Sequence, residues 1–147
     1  MSAFVNEQNA KRGVYESVIK DIADQKVCPF CPEQLLNFHT NPIRQHGHWS
    51  VTNNLYPYQP VKQHVLLIHV EHIEHVDQLS AQAWGELHEI LIAESKSRGM
   101  AGGSLVMRFG DTRFTGASVA HLHANLVQSD PEAADYDHEQ GLRVRIG

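Results

Sequence analysis

The sequence predicts an α+β domain, an antiparallel sheet of about five strands with helices packed against it. Three observations predict it. Two long segments carry apolar residues at helical spacing, several short apolar or alternating segments read as strands, and the order along the chain is helix, strands, helix, strands. A chain of 147 residues with 41% hydrophobic content is long enough to bury one core and too short for two ordinary domains, so one domain over 1–147 is expected.

Residues 7–24 place Val14, Val18, Ile19 and Ile22 on one helical face, with Lys and Asp on the other, which predicts an amphipathic N-terminal helix. "VCPFCPEQ" opens a knuckle over 26–38 with a short helical turn, followed by a polar loop from His39 to His48. The core, 47–128, begins with "HWSVTNN", which alternates as a strand does, and continues with "HVLLIHV", an apolar run suited to a strand buried on both faces. A second helix is predicted over 80–98, with Ser80 as N-cap, Trp84, Leu87, Ile90 and Leu91 in the core, and Gly99 as the stop. "GSLVMRFG" reads as a strand, "DTRFTGAS" as a loop and "VAHLHANLVQ" as the next strand. The tail, 129–147, is acidic and polar until "GLRVRIG", a further short strand.

Charge narrows the function classes. The net charge is -5 with no run of Lys or Arg, which speaks against a nucleic-acid partner. A small anionic ligand stays open, because local cations and backbone N–H groups bind phosphate even in an acidic protein. The N-terminal stretch lacks a signal-peptide pattern, and no apolar run approaches a membrane span, so no membrane partner and a cytoplasmic location are expected.

Eleven histidines are too many to be functional as a set, so only spacing or company singles one out. In "HLHAN", His121, His123 and Asn125 alternate with apolar residues, which on a strand points all three the same way, about 6–7 Å apart. The preceding "GDTRFTGAS" supplies glycines for close backbone approach, the hydroxyls of Thr112, Thr115 and Ser118, and the cation Arg113, with Arg108 just upstream. Together they can hold a phosphate against His123, and imidazole is a competent nucleophile and leaving group at neutral pH. Cys28 and Cys31 can form a disulfide, a redox pair or half a metal site, and in a reducing compartment the metal and redox readings lead.

"GASVAHLHANLV" resembles the histidine triad (HIT) signature, His-x-His-x-His followed by two apolar residues and preceded by a small-residue and Ser phosphate loop. "HVLLIHVEHIEHVDQLS" is similar to the family's strand and turn, His-x-Leu-hydrophobic-Ile-Pro-Lys-x-His-hydrophobic. "CPFC" resembles the cysteine knuckle of zinc-containing bacterial members, and "NNLYPYQ" the Asn-x-Tyr-Pro-Tyr segment of the diadenosine tetraphosphate phosphorylase-like branch.

The resemblance implies a HIT-like fold and a nucleotide hydrolase or nucleotidyl transferase acting at an α-phosphate through a covalent nucleotidyl-histidine. His123 would be the nucleophile, with His121 and Asn125 as the other triad positions. Gly116, Ala117 and Ser118 would hold the phosphate, together with Arg113, and Asn54 would lie near the nucleoside. Cys28, Cys31, His72 and His121 would hold a structural zinc, His72 leading over His64, His69 and His75 only on the family's spacing. A homodimer is the family's usual assembly.

The chain also departs from the pattern. Asn125 stands where the hydrolases have His and the transferase and phosphorylase branches Gln, and a carboxamide cannot pass a proton. "QPVKQ" is about two residues longer than in relatives, and Tyr56 lies near the place of the usual ribose-gripping Asp. The second functional class is therefore a nucleotide-binding regulatory protein whose triad has lost turnover.

Overall fold

The computed structural model describes residues 4–10 and 13–147. The expected helix over 7–24 is interrupted. Asn6 caps a 3-10 turn, Glu7–Asn9, by accepting from Gln8 N–H, Ala10 is extended, and residues 11 and 12 lie outside the described residues. Gly13, at φ 87°, then starts helix α1, Val14–Gln25. Ile19, Ile22 and Ala23 of α1 are buried against Val5 and Val119, whereas Val14 is exposed. The knuckle leads into α2, Pro32–Phe38, with Pro32 in its first turn, where no N–H is missed.

The sheet begins with a strand the sequence does not announce, β1, Ile43–His46, inside the expected polar loop. It pairs as a hairpin with β2, Trp49–Asn53, across a turn in which Gly47 has φ 56°. The long apolar strand is β3, Val61–His69. Helix α3, Ala81–Ser97, has the expected N-cap, Ser80 accepting from Ala83 N–H, and Gly99 follows its end at φ 60°. Then come β4, Ser104–Arg108, a short helix α4, Thr112–Thr115, inside the expected loop, and β5, His123–Ser129. The strands run β1-β2-β3-β5-β4 and all pairings are antiparallel. "GLRVRIG" forms no strand, and its end lies instead on the loop after α4, where Arg145 O sits 2.9 Å from the position a Cβ would take on Gly116.

Alternation along the strands divides the sheet into two faces. Trp49, Val51, Val65, Leu67, Ala124 and Leu126 pack with Leu87 and Ile90 of α3 in the main core, and Trp49 Nε1–H donates to Ala83 O at 2.7 Å. Each such side chain contributes about 1.5–3 kcal/mol when fully buried. The stripe that α3 turns inward is Ala83, Leu87, Ile90 and Glu94, so Trp84, one helical step off it, is 54% exposed rather than in the core. Buried Glu94 pairs with both Arg44 of β1 and Arg98. The opposite face carries Thr52, His64, Leu66, Ile68, Arg108, His123 and Asn125, and the knuckle and α2 cover part of it through Phe30 and Leu35.

Candidate functional site

Two sites meet at the start of β5. His121 lies just before the strand, yet Leu122 packs in the main core with Ala124 and Leu126, and His121, like His123, meets Phe30 of the knuckle that covers the opposite face. His121 joins Cys28, Cys31 and His72 in a cluster whose ligand atoms all lie within 4.8 Å of one another. Cys28 Sγ is 3.3 Å from His121 Nδ1, and Cys31 Sγ is 3.4 Å from His72 Nδ1 and 3.8 Å from His121 Nδ1. Both imidazoles turn Nδ1 inward and anchor Nε2 outside, His121 on His69 O at 2.6 Å and His72 on Glu74 Oε1 at 3.0 Å. Such outer partners fix the tautomer that leaves a lone pair for a metal. Burial lowers His121 to about 4, which keeps the ring neutral, and raises Cys31 to about 12, with Cys28 beside it adding to the rise. The cluster can hold a metal ion, and the structure selects His72 over the three competing histidines.

His123 lines a cavity of about 640 Å³ shared with Asn54, Tyr58, Arg108, Ser118 and Asn125. Its Nδ1–H donates to His121 O at 2.7 Å, so Nε2 keeps its lone pair and makes no hydrogen bond among the described residues. Burial holds the imidazole at about 4, partly offset by the bond to His121 O, with the Arg108 cation a further lowering influence. A neutral ring with one nitrogen oriented and the other open toward a cavity is the state a nucleophile needs. The edge of Phe30, from between the two cysteines, packs on the His123 ring at 5.0 Å.

The loop before β5 supplies fewer donors than its sequence promises. Gly116 N–H closes α4 on Thr112 O and Ala117 N–H donates to Thr115 Oγ1, which leaves Ser118 N–H as the one of the three with no partner among the described residues. The Ser118 hydroxyl bonds the hydroxyl of Tyr15 from α1. Asn54 accepts from Tyr56 N–H through Oδ1, a turn built on its own side chain, and still lines the cavity. Arg113, expected against a phosphate, is not brought to the cavity. It closes back on Asp111, two residues away, through Nε and Nη2.

Asn125 is held from behind by a histidine the sequence reading considered only for metal. His64 Nδ1 accepts from Tyr58 N–H at 3.0 Å, so its Nε2 carries the proton and donates to Asn125 Oδ1 at 2.8 Å. The amino group of Asn125 is thereby the donor left for the cavity. Tyr15 and Phe30 are site residues the sequence did not mark, and His64 is marked only as a candidate metal ligand. Phe30 alone had a signal, its place between the cysteines.

No family model matches the chain, and no curated protein does. Solved structures do. The chain is similar to a protein titled "Hit Like Protein" (TM-score 0.53, 16% identity, covering 65% of this chain and 93% of that one). It is also similar to a HIT family hydrolase from Clostridium thermocellum (TM-score 0.50, 22% identity, 69% and 90% covered). A third is a histidine triad protein from Clostridium difficile (TM-score 0.51, 16% identity, 69% and 90% covered). The fold is therefore HIT-like, an α+β architecture around a five-stranded antiparallel sheet.

Proposed function

We propose that the chain is a nucleotide hydrolase or nucleotidyl transferase of the histidine triad family. The observation that carries this reading is the placement of His123, neutral, oriented through Nδ1 and open at Nε2, in a cavity that also holds Ser118. In the reaction, Nε2 attacks the α-phosphorus in line, the bond to the leaving group breaks, and water or another acceptor resolves the nucleotidyl-histidine. Ser118 and the amino group of Asn125 donate to the oxygens on which charge develops, where most of the rate enhancement in phosphoryl chemistry arises.

Cys28, Cys31, His72 and His121 hold a structural zinc in this reading. Tetrahedral zinc at about 2.3 Å from sulfur and 2.0–2.1 Å from nitrogen sets its ligand atoms roughly 3.3–3.8 Å apart, and the three close contacts of the cluster span 3.3 to 3.8 Å. Four protein ligands leave no open position, so the metal ties the knuckle and the turn after β3 to the strand that carries His123. The exposed Trp84 and Ile92 on α3 support a homodimer.

His123→Asn tests the covalent step. Turnover should fall by several orders of magnitude while nucleotide affinity changes by no more than one hydrogen bond, about 1.5–3 kcal/mol. Wild-type turnover in the variant would end the covalent mechanism. Asn125, which can donate a hydrogen bond but no proton, favours the second reading, a nucleotide-binding regulatory protein, and binding without turnover by the wild type would put that reading first.

A further inference from the structure

Strand register puts a cation beside the proposed nucleophile. Arg108 of β4 is the direct antiparallel partner of His123 of β5, so the two side chains rise from the same face of the sheet about 5 Å apart at their bases, and both line the cavity. Arg108 is half-buried and no carboxylate among the described residues pairs with it. Its two hydrogen bonds go to uncharged oxygens, Nη1–H to the Tyr58 hydroxyl at 3.0 Å and Nη2–H to Arg145 O at 2.9 Å. Its Nε–H is buried with no partner among the described residues. A guanidinium has five N–H donors, so an anion at this side of the cavity would meet both an unbalanced cation and a donor, Nε–H, that is otherwise unmatched.

The surroundings make the same point. Carboxylates of the cavity wall, Glu7 and Glu16, come from the N-terminal turn and α1, whereas β4 and the tail contribute Arg108, Arg143 and Arg145. Arg108 is also linked to the third triad position, because Tyr58, which takes its Nη1–H, packs at a tilt against the His64 ring, and His64 holds Asn125. The cavity thus has a cation and a carboxamide donor beside His123, and its triad has no acid at the third position. An amine leaving group needs a proton. A phosphate or polyphosphate leaves as an anion and needs a positive partner instead.

Resting on the nucleotidyl-transfer reading, we propose that Arg108 is a specificity-determining residue that binds a phosphate beyond the α-phosphate, so that the substrates are nucleoside or dinucleoside polyphosphates rather than phosphoramidates. His123 Nε2 forms the bond to the α-phosphorus. The bond from that phosphorus to the bridging oxygen breaks, and its electron pair stays on the departing phosphate, which leaves as an anion paired with Arg108. Water then attacks the phosphorus, the P–N pair returns to Nε2, and the proton of the water passes to solvent.

The test measures kcat/KM of the full-length chain on diadenosine tetraphosphate and on adenosine 5′-phosphoramidate. Wild type should prefer the polyphosphate. In Arg108→Gln that preference should shrink roughly 10- to 150-fold, the range of one charge-assisted contact to a phosphate. Arg108→Lys, which keeps the charge but not the fork, should lose less. A wild type without the preference, or an Arg108→Gln variant slowed equally on both substrates, overturns the proposal. If neither compound is turned over, the covalent reading fails and binding decides for Arg108. Calorimetry with adenosine triphosphate and monophosphate should then show a triphosphate preference in wild type that Arg108→Gln loses. An unchanged preference, or no binding of either, overturns it.

Discussion

Replacing Glu74 by Gln removes a carboxylate without touching any of the four clustered side chains. Glu74 Oε1 supports His72 Nε2 at 3.0 Å while His72 Nδ1 faces Cys31 Sγ at 3.4 Å. Losing such support behind a ligating imidazole costs about 10–100-fold in metal affinity. With free zinc at about 100 times Kd, binding stabilises the native chain by about 2.7 kcal/mol, which the same linkage relation reduces to about 1.4 after a tenfold loss and about 0.4 after a hundredfold loss. At roughly 2–4 °C per kcal/mol for a chain of this size, the Glu74→Gln midpoint should fall by about 3–9 °C in zinc. After chelation the two proteins should unfold nearly together, since an exposed His–Glu pair alone contributes little. The assay is thermal unfolding with and without chelator, alongside elemental analysis for about one zinc per chain. Metal-free protein whose midpoint ignores the chelator would refute the reasoning, as would a Glu74→Gln shift of the same size with and without zinc.

Asn125→His restores a group able to pass a proton, typically worth about 10² to 10⁴ in rate, so it should accelerate amine leaving groups far more than phosphate ones; steady-state rates on both classes check this, and an equal gain on both rejects it. Acid stability provides another test. Burial keeps His123 at about 4 in the folded chain, against about 6.5 unfolded, so between these values the unfolded state binds the extra proton. Stability is then whole above pH 6.5 and is lost as pH falls toward 4, by up to roughly 3 kcal/mol. Urea unfolding across that range should show a flatter acid limb in His123→Asn, and identical limbs would contradict the sign.

The sequence carries the fold where periodicity is strong. The inner half of β3, residues 65–68, is one apolar run, and α3 shows both its cap and its stop. It fails where a feature is set by neighbours far along the chain. β1, with Ile43 its only apolar residue, is an edge strand, exposed enough to need no hydrophobic pattern, so it reads as loop. The helix expected over 7–24 is interrupted, with Ala10 extended and Gly13 at positive φ before α1, and Trp84 is apolar but off the inward stripe of α3. In the candidate site, alternation places His123 and Asn125 correctly, since it is a local property of β5. The pattern reaches back past the strand's first residue, with Leu122 in the core and His121 toward the knuckle. Spacing left His64, His69 and His75 competing with His72, and only tertiary packing separates them, joining Cys28 and Cys31 to residues 41 to 93 positions away. Arg113 had the better local company of hydroxyls and glycines, yet Asp111 takes it, whereas Arg108 reaches the cavity through the register of β4 with β5, which no local pattern reveals.

The central claim is the covalent nucleotidyl-histidine, and the direct measurement is mass analysis of wild-type protein quenched in acid-free denaturant during turnover of a nucleotide polyphosphate. The account predicts an added nucleoside monophosphate, mapped by fragmentation to His123 and missing in His123→Asn. Turnover with no adduct at any quench time, or an adduct on His121, His64 or another residue that persists in His123→Asn, would contradict it.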